Sequence, residues 1–409
     1  LSAREKAGGF ASRTAFGALA LALPAFIVFG RGALGVALGI AVLAVIAATC
    51  SGVRWRVWND PLRPALAVIA ILGLSWLPSI AGSLQPGMSA LTLTRTAALI
   101  AGGAILVDFA RRDDNDWGLR VFVGGMLVSL VFAAVALFIT PEIAFFRAHN
   151  GVVVPHFALK SSASAIACAL PVLLYAAWRL GGRWAWAVVP CLPLGLDVMY
   201  GTSSRSSLAG MLAALVLCGI VAITRRRPLS HLLVALVLAA LAGIAAIAVT
   251  LRWTEPLTLG GYHTFAPSWL VDLHRQTIWQ FTLDRFFERP WFGWGLNAIA
   301  TYPGADSMIP ELQGEFIPSH PHNWMIESMA ESGVVGFIPL LTVIVAIAMA
   351  AGREYRRTGD RATLTWLALW LSYWAAGAFN FSMWNASWQS SGLVLAVLVC
   401  SRLPGRQRP

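Results

Sequence analysis

The run Pro318-Ser319-His320-Pro321-His322-Asn323-Trp324-Met325-Ile326-Glu327, followed by Glu331-Ser332-Gly333-Val334-Val335-Gly336, sets two imidazoles and a carboxamide directly before a strongly apolar stretch. Imidazole changes charge near neutral pH, so a His-x-His pair suits proton abstraction or ligand binding. A plain interfacial loop has the same composition, and the rest of the chain has to separate the two readings. The turn Gly201-Thr202-Ser203-Ser204-Arg205-Ser206-Ser207 packs hydroxyls around one guanidinium, whose planar fork matches phosphate oxygens. From Val271 to Arg289 the pattern predicts a helix ended by Pro290, with Arg275, Ile278, Trp279, Thr282 and Phe286 on one face. Arg205 and Arg275 together supply two fixed cations, a match for a pyrophosphate. The plainer reading of the second is an interfacial helix whose Arg meets ordinary lipid headgroups.

The elements that must position these residues are membrane helices. Of 409 residues 58% are hydrophobic and 12% charged, and the mean hydropathy is +0.70. That composition predicts an all-α polytopic membrane protein rather than a soluble domain. Apolar runs of roughly 17–22 residues place twelve spans near 14–30, 32–50, 64–82, 91–109, 119–140, 158–178, 184–200, 208–224, 231–251, 334–351, 362–379 and 386–401. The first run follows Arg4, Lys6 and Arg13 and could serve as a signal peptide, but a second span follows at once without a small-x-small cleavage site, so it counts as a helix. Residues 1–409 then form one integral membrane unit, with a large external loop at 252–333 between the ninth and tenth spans. A connection of that length is normally functional.

With twelve spans, the basic clusters fall on one side: Arg54, Arg56 and Arg63; Arg111, Arg112 and Arg120; Arg179 and Arg183; Arg225, Arg226 and Arg227; Arg353, Arg356, Arg357 and Arg361; Arg402, Arg406 and Arg408. Loops rich in Lys and Arg stay cytoplasmic, which predicts both termini inside. The net charge of +11 then reflects topology and argues against nucleic-acid binding, which needs a basic face on a soluble module. Six of the seven histidines, His149, His156, His263, His274, His320 and His322, fall outside, leaving His231 within. Arg95, Lys160 and Asp197 lie near the outer ends of spans, where snorkelling and a polar cavity are both open readings. Trp269, Trp279, Trp291 and Trp294 suit the headgroup level and predict that the 271–289 helix lies along the outer surface. The five cysteines all sit in apolar spans and read as small hydrophobes.

No Walker loop, dinucleotide fingerprint, His-Glu-x-x-His or Cys-x-x-Cys is present, so no soluble cofactor is expected. Asp113-Asp114-Asn115-Asp116 falls on the basic side beside Arg111 and Arg112 and reads as a solvated turn. The outer acids, Asp306, Glu311 and Glu315, form no tight run, which predicts chemistry without a metal.

Three segments resemble the superfamily of bacterial O-antigen ligases, O-antigen polymerases and related protein O-oligosaccharyltransferases. They are Thr202–Ser207 around Arg205; Arg275-Gln276-Thr277-Ile278-Trp279 continuing to Pro290-Trp291-Phe292-Gly293-Trp294-Gly295; and His320-Pro321-His322-Asn323 with Glu331-x-Gly333-x-x-Gly336. The resemblance runs from about Arg147 to Gly336. It implies a GT-C type glycosyltransferase of the bacterial inner membrane with a periplasmic active site. The implied donor is a glycan on undecaprenyl pyrophosphate and, in the ligase branch, the acceptor is a sugar hydroxyl of lipid A-core. It maps the essential histidine onto His322 as base and the essential arginines onto Arg205 and Arg275, with His320, Asn323 and Glu327 in support. Members often carry an Asn-Pro-Asn-like run after the fifth span; here Gly151-Val152-Val153-Val154-Pro155-His156 stands instead, and neither Arg147 nor His156 is assigned a role.

Direct displacement by the acceptor hydroxyl would invert the anomeric centre. An O-antigen polymerase would use the same donor with a second lipid-linked glycan as acceptor. The absence of a large soluble domain after the last span argues against the protein O-oligosaccharyltransferase branch. A transporter of lipid-linked glycans is the reading from another class; it predicts internal repeats with broken helices in both halves, and none is seen.

Overall fold

The computed structural model describes residues 3–51, 62–111, 116–147, 154–252 and 255–403. His149, Arg54, Arg56, Arg112, Asp113 to Asn115, Gly151 to Val153, Arg406 and Arg408 lie outside the described residues. Of the described residues 77% are helical. In order it forms α1 (Ala3–Phe29), α2 (Arg31–Cys50), α3 (Leu62–Ala81), α4 (Pro86–Ala110), α5 (Trp117–Phe138), α6 (Pro155–Leu180), α7 (Gly182–Ala185), α8 (Val188–Gly201), α9 (Arg205–Ile223), α10 (Leu229–Arg252), α11 (Leu273–Glu288), α12 (Trp324–Thr358), α13 (Arg361–Gly377) and α14 (Ala386–Cys400). Between α10 and α12 lie two short antiparallel ladders, β1 (Thr258–Leu259) with β2 (Tyr262–His263) and β3 (Met308–Ile309) with β4 (Gly314–Glu315).

Local chemistry sets the helix limits. Proline opens α4 and α6, where its missing N–H costs nothing. Asn323, Asp360 and Asn385 cap α12, α13 and α14 by accepting first-turn amides. Gly359, at φ 71°, ends α12 in the left-handed conformation that a C-terminal cap needs.

Among the described residues nine helices are long and apolar enough to cross a membrane. The other three expected positions hold α8, α13 and α14, of 14, 17 and 15 residues, so the full count of twelve is not reached on length. Their shortness has a visible cause at α13 and α14: both stop against the irregular segment 378–385, which serves the site described below. Helix α6 lies at the centre, with an almost continuous buried run from Ser162 to Leu173 and neighbours α5, α8, α9, α13 and α14. By contrast α10 exposes Leu233, Val237, Leu241 and Ile244 along its length and leans mainly on α9.

The polar residues separate to the two ends of this bundle. At one end Asp116 pairs with Arg179 and Arg402, Arg356 donates to the carbonyls of Thr224 and Arg227, and Arg361 lies 4.0 Å over the Trp178 ring. At the other end sits the 255–323 segment, with the α3–α4 turn, the start of α9 and segment 378–385 joined to it by hydrogen bonds.

That segment is locked to the bundle by a backbone interlock. At Gly333 (φ 59°, ψ −171°) α12 breaks, and four amides cross between strands of irregular chain: Trp294 to the Ala330 carbonyl, Gly295 to Glu331, Val334 to Pro290 and Val335 to Trp291, at 2.8–3.2 Å. A β-carbon at Gly333 would lie 2.2 Å from the Trp291 carbonyl carbon, and one at Gly293 (φ 68°) 2.4 Å from that of Glu331. Only glycine allows both the positive φ and this approach.

Candidate functional site

The site is assembled by α11. Asp272 caps the helix by accepting from the His274 amide. Gln276, fully buried, then clasps the preceding loop: its Oε1 accepts from the amides of Phe265 and Ala266, and its Nε2 donates to the carbonyls of Ala266 and Val271. One turn further the Trp279 N–H donates to the Pro321 carbonyl at 2.9 Å, so the indole pins the His-Pro-His segment between its two histidines. His322 itself adopts φ 57°, an uncommon conformation for a residue with a β-carbon. Strain of this kind persists only where surrounding contacts hold it, and it concentrates at functional sites.

The point of convergence is Asn380, in segment 378–385. Its backbone oxygen accepts from His320 Nε2 at 3.2 Å and from His322 Nδ1 at 3.0 Å, and the two rings stand 4.2 Å apart. Its side-chain oxygen accepts from Arg275 at 3.0 Å, and a second Arg275 nitrogen donates to the carbonyl of Phe379. Because a carbonyl only accepts, both ring nitrogens facing it carry protons. Neutral His322 is therefore the Nδ1–H tautomer, with its basic lone pair on Nε2. His320, protonated on Nε2, accepts on Nδ1 from the Ser319 hydroxyl at 2.8 Å.

Burial governs the charge of these groups. It pushes the proton affinity of His322 down to about 3, with His320 beside it adding to the effect, the Asn380 hydrogen bond opposing it, and Arg275 and His274 contributing further. His320 is lowered mainly by burial, against the Asn380 bond, with Arg275 and Arg31 assisting. Arg275 is lowered by burial, with Asp272 opposing and Arg205 adding; a guanidinium stays charged throughout. Lys160 lies within electrostatic reach of Arg275, Asp272 and Arg205, which makes it the third cation of the cluster.

The sequence-derived residues fall out as follows. His320, His322 and Arg275 meet at Asn380. Arg205 is exposed at the start of α9 and donates to the Ser268 carbonyl at 2.7 Å, close enough in charge to perturb Arg275. The hydroxyls around Arg205 do not ring it: Ser204, Ser206 and Ser207 are buried and bond to one another and to Ser164 on α6. Asn323 spends its side-chain oxygen on the amides of Met325 and Ile326 as the helix cap. Glu327, buried, accepts from the Met383 amide at 2.9 Å and so holds segment 378–385 rather than touching an imidazole. Trp279 and Trp294 turn inward, the latter donating to the Arg285 carbonyl, while Trp269 and Trp291 are exposed.

Sequence reasoning missed Asn380. Glu331 accepts from the amides of Asn297 (2.8 Å) and Ile299 (3.1 Å) and from the indole of Trp384. Arg95 donates to the Trp384 carbonyl. Its polar head thus has a structural duty within the protein, where the sequence left snorkelling open. Among the described residues no three His, Cys, Asp or Glu side chains converge.

Residues 191–341, which include Arg205, Arg275, His320 and His322, match the family model described as O-Antigen ligase. A proposed polysaccharide ligase of Rickettsia conorii is 27% identical over 214 residues, 51% of this chain and 50% of that protein. Similar proposed polysaccharide ligases of Rickettsia bellii (26% over 231 residues, 53% and 54%) and Rickettsia felis (26% over 214 residues, 51% and 50%) also match. The chain spans about half the length of the curated relatives it matches.

Proposed function

We propose, from the premise that residues 191–341 belong to the O-antigen ligase family, that the protein transfers O-antigen glycan from undecaprenyl pyrophosphate to a sugar hydroxyl of lipid A-core. The reading includes a twelve-span, GT-C type protein of the bacterial inner membrane. Its basic end and both termini are cytoplasmic, and its site is periplasmic. One observation carries it: a base with a fixed tautomer and a half-buried guanidinium are tied to the same residue, Asn380, with Arg205 and Lys160 in electrostatic reach of that guanidinium.

Each group then has a task. Cleavage of the bond between the anomeric carbon and pyrophosphate builds negative charge on the leaving oxygens, and preorganised Arg275 and Arg205 stabilise it. Pyrophosphate leaves without a general acid. The acceptor hydroxyl is a weak nucleophile, and Nε2 of neutral His322 takes its proton during attack, passing positive charge into a ring whose Nδ1–H is already held by the Asn380 carbonyl. His320 keeps that carbonyl shared and the ring upright. Single displacement inverts the anomeric centre, and neither a metal nor a soluble cofactor enters the scheme.

The test is a reconstituted reaction of the purified protein with defined lipids. Glycan should pass from a pyrophosphate lipid to lipid A-core with EDTA present and no nucleotide. Arg205→Lys and Arg275→Lys should rescue poorly, because an ammonium lacks the planar fork. Transfer only onto a second lipid-linked glycan would replace the ligase assignment with the polymerase one. Strict dependence on an added divalent ion would overturn the metal-free scheme.

A further inference from the structure

On the far half of α11 lies a shallow cleft of about 520 Å³, widely open to solvent, the form a surface groove for an extended chain takes. Its floor is aromatic. Phe316 stacks on Phe281 with centroids 4.9 Å apart and meets the edge of Tyr262 at 6.0 Å. Arg285 lies flat over Phe281 at 4.5 Å and Tyr302 at 4.7 Å. The walls are the Gly260-Gly261 turn joining β1 to β2 and the Pro303–Ser307 turn. Around it the polar groups are already oriented: the Tyr262 hydroxyl donates to Asp284 at 2.9 Å and that of Tyr302 to Glu288 at 2.8 Å, while Glu311 accepts from the Gly260 amide.

We infer that this cleft binds pyranose units of the glycan substrate, at a distance from the reacting bond. A pyranose ring has an apolar C–H face that lies on aromatic rings and a rim of neutral hydroxyls that meet charged and hydroxyl side chains; both partners are present here. The carboxylates of Asp284, Glu288 and Glu311 disfavour a phosphate, and an acyl chain has no use for the polar rim. The cleft sits on the same rigid helix as Arg275. Arg285 is ten residues further on, about 15 Å at the helical rise, so a sugar chain whose end is held at Arg275 reaches it within a few residues. Glycan identity would then be read at α11 and its turns, and chemistry at Asn380. The inference rests on the glycan-transfer reading for its ligand and concerns residues outside that site.

Ser307→Trp and Pro303→Trp each fill the cleft from an exposed turn without touching the catalytic groups. The first probe is the lipid-free polysaccharide released by mild acid from the lipopolysaccharide of the bacterium that carries this protein, observed by saturation-transfer NMR on the purified wild type in detergent. Saturable signals are expected in the wild type, with affinity reduced about tenfold or more in both variants, the roughly 1.4 kcal/mol expected when an indole displaces a sugar unit from the cleft. The second arm is transfer kinetics. The variants should raise KM about tenfold at little change in kcat, for a donor with several repeats but not for one with a single sugar; a rise confined to lipid A-core would assign the cleft to the acceptor chain. Undiminished binding in both variants, or no binding by the wild type, overturns the inference. A wild type that binds polysaccharide yet transfers none counts against the proposed function alone.

Discussion

At the scale of the residue, the arrangement separates two roles that the His-x-His spacing leaves merged. Both imidazoles donate to one carbonyl, but only His322 keeps its free nitrogen on Nε2 without the Ser319 contact. His322→Ala should therefore lower kcat by about 10²–10⁴-fold, the usual worth of a general base, with donor binding and melting temperature close to wild type. Wild-type turnover would remove it from the site. The pH profile follows from its burial. With His322 held at about 3, against 6.5 in an open chain, kcat/KM should show no protonation limb near 6.5. The linked stability runs the same way: below pH 6.5 the unfolded chain binds a proton that the folded ring refuses. Stability is complete above 6.5 and falls as pH drops toward 3. Melting temperatures of wild type and His322→Ala, close at neutral pH, should diverge across that window, the wild type losing more as pH falls. Asn380→Ala tests the other half of the hub. It keeps the backbone oxygen that orients the rings and deletes one of the two acceptors of Arg275, so KM for the lipid donor should rise about tenfold, the cost of a hydrogen bond to a charged group.

At the scale of the element, the glycines that mark the sequence motifs do structural work. Gly293 and Gly333 allow the Pro290–Gly295 segment to pass across the break in α12, and the hydrogen bonds across it set where α12 begins relative to α11. Gly333→Ala would put its β-carbon 2.2 Å from the Trp291 carbonyl carbon, far inside contact distance, and the left-handed φ alone adds about 1–3 kcal/mol of backbone strain. It should lower the melting temperature and free the 255–323 segment, read as faster proteolysis there; a melting temperature equal to wild type would deny the interlock its role. These elements also show what the sequence makes legible. The helix expected at 271–289 forms at Leu273–Glu288, with Ile278, Trp279, Thr282 and Phe286 buried on one face as the periodicity requires. The interruption by Pro290 and the cap at Asn323 are local and can be read directly. Asn380 cannot: it is 58 residues from His322 and 105 from Arg275, and it acts largely through a backbone oxygen, which every residue has. The hydroxyl turn at 202–207 misleads for a similar reason, since which way Ser206 and Ser207 point depends on Ser164 of another helix.

At the scale of the whole molecule, the division of polar residues between two ends gives the topology a test independent of catalysis. One end is bound by arginines, with Arg356 on Thr224 and Arg227, and Asp116 on Arg179 and Arg402. The other carries the 255–323 segment and the imidazoles. In the proposed reaction a pyrophosphate lipid and a lipid A-core acceptor meet only if that second end faces the periplasm, as the positive-inside rule would have it. Two single cysteines read this out. Asp306 is exposed on the 255–323 segment, and the side chain of Arg357 is 73% exposed at the basic end. Cys50, which is exposed, is replaced by serine in both, while Cys168, Cys191 and Cys218 are buried. Asp306→Cys should react with a membrane-impermeant maleimide once the outer membrane is permeabilised, whereas Arg357→Cys should react only after the inner membrane is lysed. The reverse pattern would put the cation cluster on the side where no lipid A-core acceptor is presented. Labelling of both from the same side would break the single crossing by α12 between these two positions and, with it, the twelve-span arrangement.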